Sequence, residues 1–195
     1  MSNNMESGNE RNEMIKKVEK ISKLNPESLK TVDGNCFSIF QCLQVKFLHV
    51  YFIGWKDLWE NNTFPWQKDE IHPNLIKNLQ TLIEATGKTD TKDIRFFVPL
   101  CGKTKDLLFL KSKGFQVIGC EGVEKAVVDF FTENSLEFTK TDLADDTSSF
   151  ASKDGKLNIV KGDYFNLTPE LLGGKIDCVW DRGSLVAIDV AMRPK

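Results

Sequence analysis

The sequence predicts an α/β fold, in which strands and helices alternate to build an open sheet of mostly parallel strands. Short apolar runs, typical of buried strands, recur between Ile94 and Trp180. The first of these runs are separated by segments with helical periodicity, and strands alternating with helices of about 10 to 15 residues indicate right-handed parallel crossovers. A third observation is that Glu121 directly follows the second apolar run. An acid at that position of such a sheet is typical of a nucleotide-type ligand site.

The chain is expected to divide into an N-terminal extension, residues 1–54, and a domain, residues 55–195. Residues 1–11 are polar and acidic and are predicted to be disordered, whereas residues 12–23 have apolar side chains at helical spacing. Residues 36–53 are apolar but are interrupted by polar and charged side chains. A bilayer helix needs about 20 mostly apolar residues, so a membrane span is disfavoured. A buried helix, a pair of strands and a tolerated insertion all remain open for this segment.

The elements of the domain follow from periodicity and from Pro and Gly positions. Residues 55–60 read as a short turn, and a helix is predicted from Pro73 to an exit at Gly87, with an apolar face of Leu75, Ile76, Leu79, Leu82 and Ile83. Helices are also predicted at Thr104 to Lys113 and Val123 to Asn134, the latter burying Val123, Ala126, Val127, Phe130 and Phe131. Strands are predicted at Ile94 to Val98, Phe115 to Cys120, Leu157 to Val160 and Ile176 to Trp180, with a loop or hairpin at Thr139 to Gly155.

Composition favours a small-molecule substrate. Lys and Arg number 26 and Asp and Glu 28, spread along the chain, so the sequence lacks the basic footprint of a nucleic-acid binder. The five cysteines are odd in number and lack C-x-x-C spacing. This pattern argues against a disulfide framework and against a metal site, and it fits a reducing cytoplasm.

The turn from Pro99 to Lys103 excludes two common nucleotide motifs. The string C-G-K-T resembles the end of a P-loop, but Phe97 stands where that motif needs glycine. A single Gly102 is also not the G-x-G-x-x-G of a dinucleotide site, so NAD and FAD are disfavoured. We therefore expect Lys103 to be a solvated lysine at a helix start.

Further candidate residues follow the ends of the predicted strands. Glu121 could accept from ribose hydroxyls, or it could simply be an acid favoured at a helix N-terminus. Asp163 and Tyr164 follow the third strand and could contact a purine, or be ordinary loop residues. Arg182 beside Asp181 could form a surface ion pair, or its guanidinium could hold an anionic acceptor.

Several strings together resemble the thiopurine S-methyltransferase family, over residues 55–195. They are W-K-D-L-W-E at 55–60, Trp66 with H-P-N-L at 72–75, F-F-V-P-L-C-G-K at 96–103, G-F-Q-V-I-G-C-E-G at 114–122, F-F-T-E-N at 130–134 and W-D-R-G-S-L-V-A-I at 180–188. The P-L-C-G-K and W-D-R-G-S-L strings carry most of the resemblance. It implies a Rossmann-like class I methyltransferase sheet and S-adenosyl-L-methionine as cofactor.

The resemblance also assigns roles to residues. It implies a cofactor pocket made by Trp55, Trp59, Trp66, Leu100, Glu121, Gly122, Asp163, Tyr164 and Arg182. Asp181 and Arg182 would serve catalysis, and Trp66 and Arg182 would contact the acceptor. By spacing alone, Trp55 and Trp59 read instead as a packed helix turn.

The implied activity is methyl transfer to the sulfur of aromatic or heterocyclic thiols, by a cytoplasmic monomer that binds neither nucleic acid nor membrane. Methylation of a macromolecule is disfavoured because D-R-G-S stands where amino-methylating nucleic-acid enzymes carry a D/N-P-P-aromatic string. The sequence departs from the family pattern at Gln67, where a histidine is common. It also ends at Lys195, whereas the family fold continues through a fifth strand and an antiparallel pair, so we expect a sheet truncated after the fourth strand. The alternative is a catalytically inactive homologue that retains at most cofactor or protein binding.

Overall fold

The computed structural model describes residues 54–64, 66–143 and 146–193. These residues fall in the second of two compact units, Tyr51–Lys195. The predictions for residues 1–11, 12–23 and 36–53 lie outside the described residues. Within the described ranges, no helix has the length and apolar character needed to cross a membrane.

The elements follow the predicted order closely. Helix α1 covers residues 54–60, and the later helices are α2 (Pro73–Thr86), α3 (Lys105–Ser112), α4 (Glu124–Glu133) and α5 (Ser184–Ala187). The strands are β1 (Arg95–Val98), β2 (Gln116–Glu121), β3 (Phe138–Asp142), β4 (Ser148–Ser152), β5 (Leu157–Lys161) and β6 (Cys178–Val179). The prediction of a turn at residues 55–60 was wrong, because these residues are helical.

The six strands form one sheet in the order β3-β4-β5-β2-β1-β6. Strands β5, β2, β1 and β6 are parallel, which confirms the predicted α/β fold, and β3 and β4 form an antiparallel hairpin beside β5. In register, Phe96 of β1 lies opposite Val117 on one side and Cys178 on the other. Strands are therefore added on both sides of β1, so the direction in which the strand order runs reverses there. A ligand crevice is expected at such a point, beyond the carboxyl ends of the strands.

Helices α2 and α4 supply much of the core. All five residues predicted to be buried by α4 are buried. In α2, Leu75 and Leu79 are buried and Leu82 and Ile83 pack against the core. The prediction for Ile76 was wrong: its side chain is 53% exposed, because one residue along a helix turns the side chain about 100° away from the apolar stripe.

Candidate active site

A cavity of about 420 Å³ opens at the carboxyl ends of β1 and β2 and beside the segment that follows β6. One wall is formed by three indoles and Gln67, and a second by the turn after β1. The remaining walls come from the end of β2 and from the residues after β6. The lining comprises Trp55, Trp59, Trp66, Gln67, residues 98–102, Thr104, residues 121–123, Arg182, Gly183, Val186 and Ala187.

The turn after β1 has an unusual backbone. Leu100 has a φ of 41° and Gly102 a φ of 51°, in the left-handed region that branched residues rarely adopt. At a residue other than glycine, here Leu100, such backbone costs of order 1–3 kcal/mol, and strain of this kind clusters at ligand-binding sites. Two hydrogen bonds tie the turn down: the Cys101 amide donates to the Cys120 carbonyl at 2.8 Å, and the Gly102 amide donates to Glu121 Oε2 at 2.8 Å.

Glycine also avoids close contacts near this turn. A Cβ on Gly102 would lie 3.2 Å from Trp59 Cζ2, and a Cβ on Gly119 of β2 would lie 2.8 Å from Cys101 Sγ. The absence of side chains at both positions lets the turn pack against β2 and lets the indole wall approach its backbone.

Glu121 is a buried carboxylate that faces the cavity, with 8% of its surface exposed. Its Oε1 accepts from the Val123 amide at 2.9 Å, and its Oε2 accepts from Gly102 as above. Burial raises the pKa of Glu121, and the backbone donors at Val123, Gly102 and Gly122 partly oppose that rise. A carboxylate has about four lone-pair sites, so both oxygens can accept further bonds from a ligand. The two interpretations of Glu121 are thus compatible, since one carboxylate caps the start of α4 and faces the cavity.

The three indoles form one aromatic wall. Trp59 is 2% exposed and packs against Val123 and Ala126 of the α4 region. The Trp55 and Trp66 rings meet edge to face at 4.7 Å, and the Trp59 and Trp66 rings at 6.1 Å. Trp59 therefore is a core residue, as its spacing predicts, and it also lines the cavity.

Arg182 lies on the cavity lining, whereas Asp181 does not. Asp181 Oδ1 accepts from the amides of Gly183 and Ser184 at 3.0 and 2.8 Å, and its Oδ2 accepts from Ser184 Oγ at 2.6 Å. The surface ion pair between Asp181 and Arg182, one of the two alternatives for these residues, is not formed among the described residues, because the carboxylate is used to fold the turn that presents Arg182.

Asp163 and Tyr164 are not brought to the lining. Asp163 is exposed and caps its own short turn, accepting from the Phe165 amide at 2.9 Å. Tyr164 packs on the opposite cluster of Phe97, Ile118 and Cys120.

The expectation that Lys103 is a solvated lysine was wrong. Its side chain is 12% exposed rather than solvated, and its Nζ lies 2.6 Å from Glu133 and 4.5 Å from the centre of the Phe64 ring. The side chain joins the segment after α1 to α4 and is thus part of the support of the indole wall.

Sequence reasoning missed several lining residues. Gln67 stood out only as a departure from a family pattern. Its Nε2 donates to the Lys103 and Lys68 carbonyls, both at 3.1 Å. Val186 and Ala187 lie on α5, and Val186 is 81% exposed. An apolar string after D-R-G was the available signal for these two residues.

The comparisons with known proteins agree with this architecture. The model of the thiopurine S-methyltransferase family matches residues 52–195. A probable thiopurine S-methyltransferase of Danio rerio is 34% identical over 143 residues, 72% of this chain and 59% of the relative. The thiopurine S-methyltransferases of Psychrobacter cryohalolentis and Shewanella woodyi are 33% and 36% identical over 146 and 140 residues, covering 72% and 71% of this chain.

The chain spans 59% to 63% of the length of these three relatives. The matched region contains the whole described sheet and every residue that lines the cavity. The sheet order, the turn after β1 and the sequence match lead to one conclusion: the chain belongs to the thiopurine S-methyltransferase family.

Proposed function

We propose that this chain transfers a methyl group from S-adenosylmethionine to the sulfur of an aromatic or heterocyclic thiol. The observation that carries the proposal is that one cavity gathers the indole wall, the Glu121 carboxylate and the Arg182 guanidinium. Family membership supports the same reaction, and the relatives quoted above are named for thiopurines.

The residues present fit this cofactor. The cavity volume of about 420 Å³ lies within the range usual for small-molecule sites, roughly 300–1,000 Å³. Ring faces of tryptophan attract cations such as a sulfonium, and the free lone pairs of Glu121 suit ribose hydroxyls. When bound, the cofactor supplies an electrophilic methyl group on a positively charged sulfur.

The acceptor side would depend on Arg182. Aromatic thiols ionise readily, and a guanidinium can hold the thiolate at the cavity mouth. Attack by a thiolate on a sulfonium neutralises charge, so the indole wall favours reaction by excluding water and by aligning the sulfur with the methyl carbon. The protein then needs no nucleophile of its own. We assign Asp181 the role of shaping the turn that carries Arg182, and Trp66 the role of contacting both cofactor and acceptor.

Asp163 and Tyr164 remain proposed contacts of the adenine. They follow β5, whose last residue, Lys161, pairs with Glu121 in the sheet. A ligand extending from Glu121 past this strand end would reach them.

The test begins with binding. Calorimetry with S-adenosylhomocysteine on the full chain should detect a complex, and turnover of an aromatic thiol with S-adenosylmethionine should follow. Arg182→Ala should lower kcat/KM for the thiol by roughly 10- to 100-fold, as expected for losing a charged hydrogen bond. Arg193→Ala is the matched control, because Arg193 is exposed and is not on the cavity lining.

Each outcome separates the alternatives. Near-normal turnover by Arg182→Ala would remove the assigned role of that residue. Binding of S-adenosylhomocysteine without turnover of any aromatic thiol would favour the inactive homologue that binds cofactor only. A chain that binds neither ligand would contradict the proposal as a whole.

We also propose that the protein acts as a monomer on small molecules in a reducing compartment. Cys101, Cys120 and Cys178 are free and buried, and burial raises the pKa of each thiol. Size-exclusion chromatography with light scattering tests the oligomeric state, and a dimer at micromolar concentration would overturn that part of the proposal.

A further inference from the structure

Asp106, in the first turn of α3, is a fully buried carboxylate that the proposed reaction does not use. Its exposed fraction is 0%. Oδ1 accepts from the His72 amide at 2.8 Å, and Oδ2 accepts from Trp180 Nε1 at 2.9 Å. Neither of these two donors is a cation.

A carboxylate is buried at little cost only when its oxygens are hydrogen-bonded. Here two donors satisfy both oxygens, and the N-terminal end of α3 favours an acid at this position. Asp106 is therefore a built feature of the fold, and the groups that it connects bear on the cavity.

The bonds of Asp106 connect two walls of the cavity. Its own amide donates to Thr104 Oγ1 at 3.3 Å, and Thr104 lines the cavity on the side of the turn after β1. Trp180 precedes Arg182 by two residues, and its amide donates to the Phe97 carbonyl of β1 at 2.8 Å. Asp106 thus holds the turn through its backbone amide, and its carboxylate holds the strand end that leads to Arg182.

We propose that Asp106 is a positioning residue that sets Arg182 opposite the turn at Gly102 to Thr104, acting through the Trp180 indole. This proposal rests on the proposed function, because its benefit is the alignment of an acceptor held by Arg182. Both side-chain oxygens are needed, since each accepts from a different donor. An asparagine would accept from one and present its own N–H to the other.

The structure offers a matched control at the opposite end of the same strand pair. Asp177 Oδ2 accepts from Lys88 Nζ at 2.7 Å and from the Arg95 amide at 2.9 Å. Asp177 therefore also joins β6 to β1, but away from the cavity. Asp177→Asn should lower the free energy of unfolding without affecting Arg182.

The first measurement needs no turnover. Indole and arginine Nε signals in 1H–15N spectra are assigned by Trp180→Phe and Arg182→Lys, in the free protein and with S-adenosylhomocysteine. Asp106→Asn should shift both the Trp180 and the Arg182 signals, and Trp180→Phe should shift Arg182 to a similar extent. Asp177→Asn should leave both signals in place.

The second measurement is kinetic. Asp106→Asn and Trp180→Phe should each lower kcat/KM for an aromatic thiol about tenfold, as small misplacements at a reacting centre do, while S-adenosylhomocysteine affinity changes less than about threefold. Because both variants remove one connection, the double variant should be no worse than the worse single variant.

The outcomes distinguish this proposal from the function it rests on. If the wild-type chain binds cofactor but turns over no thiol, the proposed function fails, and the spectra alone decide whether Asp106 positions Arg182. If wild-type turnover is normal and Asp106→Asn alters only the free energy of unfolding, the positioning role is wrong and the proposed function stands. The same holds if the effects of Asp106→Asn and Trp180→Phe on kcat/KM multiply in the double variant.

Discussion

Glu121 accepts from an amide at the start of α4 and also faces the cavity, so ribose binding stays a prediction beside the helix-terminus interpretation. It was singled out because an acid directly after an apolar strand is unusual. What the sequence could not indicate is its network, in which the Gly102 and Val123 amides hold both oxygens at 2.8 and 2.9 Å. That network depends on the left-handed backbone at Leu100, and single-sequence patterns do not predict a positive φ at a leucine.

The raised pKa of Glu121 gives a pH-dependent prediction. Its usual value is 4.5, and burial moves it upward. As pH falls from neutral, protonation should begin above the ordinary carboxyl range and weaken S-adenosylhomocysteine binding. Glu121→Gln should weaken binding roughly 10- to 100-fold at neutral pH and abolish this pH dependence. Calorimetry between pH 8 and about pH 5 measures both effects.

The sign for stability is opposite to that for binding. A carboxyl whose folded-state pKa is raised takes up protons more readily when folded, so acidification through that pKa favours the folded state through this group. In denaturant titrations of the free protein, the free energy of unfolding of wild type should therefore rise relative to that of Glu121→Gln as pH falls. Glu137→Gln is the control, because Glu137 is exposed and pairs with Lys153. If the pH dependence of unfolding changed as much in Glu137→Gln as in Glu121→Gln, its assignment to Glu121 would be contradicted.

At the scale of elements, helix ends were predicted best where a capping residue marks them. Thr104 caps α3 by accepting from the Asp106 amide, and Gly87 ends α2 with a φ of 68°. For helix α1 the sequence predicts only a short turn, because the segment is too short for helical periodicity, although the spacing of Trp55 and Trp59 is typical of a packed helix turn. Packing of Trp59 against the α4 region stabilises this helix. The strand end before Asp163 was also located correctly. The short helix that follows, residues 164–166, then turns that carboxylate onto its own backbone.

The link between α3 and the β4–β5 turn gives a second prediction. Lys111 pairs with Asp154 at 2.7 Å and, with Ser152 and the Lys156 amide, lowers the pKa of Asp154 to about 2. Because the folded pKa is depressed, this stabilisation is present above the ordinary value of 3.8 and is lost as pH falls from there toward 2. The Asp154 side chain is 45% exposed, so solvent screens the pair and Asp154→Asn should cost no more than about 1 kcal/mol at neutral pH.

Urea unfolding at pH 7 and at pH 3 measures this link. Wild type should lose more stability between the two pH values than Asp154→Asn does. Asp90→Asn serves as comparison, because Asp90 pairs with Lys92 inside one turn and joins no two elements. Equal acid losses in wild type and Asp154→Asn would show that Asp154 does not contribute.

At the scale of the whole molecule, the sequence predicted the class of sheet but not its strand order. Alternating strands and helices indicate parallel pairing, and that was confirmed. Which strand lies beside which depends on packing of both faces, and the hairpin of β3 and β4 could equally have been a loop by its polar composition. Its charged, exposed residues suit the outer strand β3, where they discourage pairing with other chains.

Ligand binding should stabilise the whole domain. The cavity is built from α1, the turn after β1, the end of β2 and α5, which are distant in sequence. A ligand that binds only the folded state at a hundredfold excess over its Kd adds about 2.7 kcal/mol. S-adenosylhomocysteine should thus raise Tm by several degrees in differential scanning fluorimetry, whereas homocysteine alone should not. An unchanged Tm in excess ligand would show that the folded chain does not bind it.

The close approach of β2 to the turn that follows β1 has a consequence for how this sequence can vary. A methyl group at position 119 would lie 2.8 Å from the sulfur of Cys101 but 3.6 Å from its Cβ, an ordinary contact. Alanine at 119 is therefore strained while cysteine stands at 101, because the sulfur would have to move, and this strain is relieved once 101 is also alanine, provided that Ile159 yields a few tenths of an ångström. The two positions form a coupled pair, in which the order of substitutions decides how much stability the intermediate protein loses.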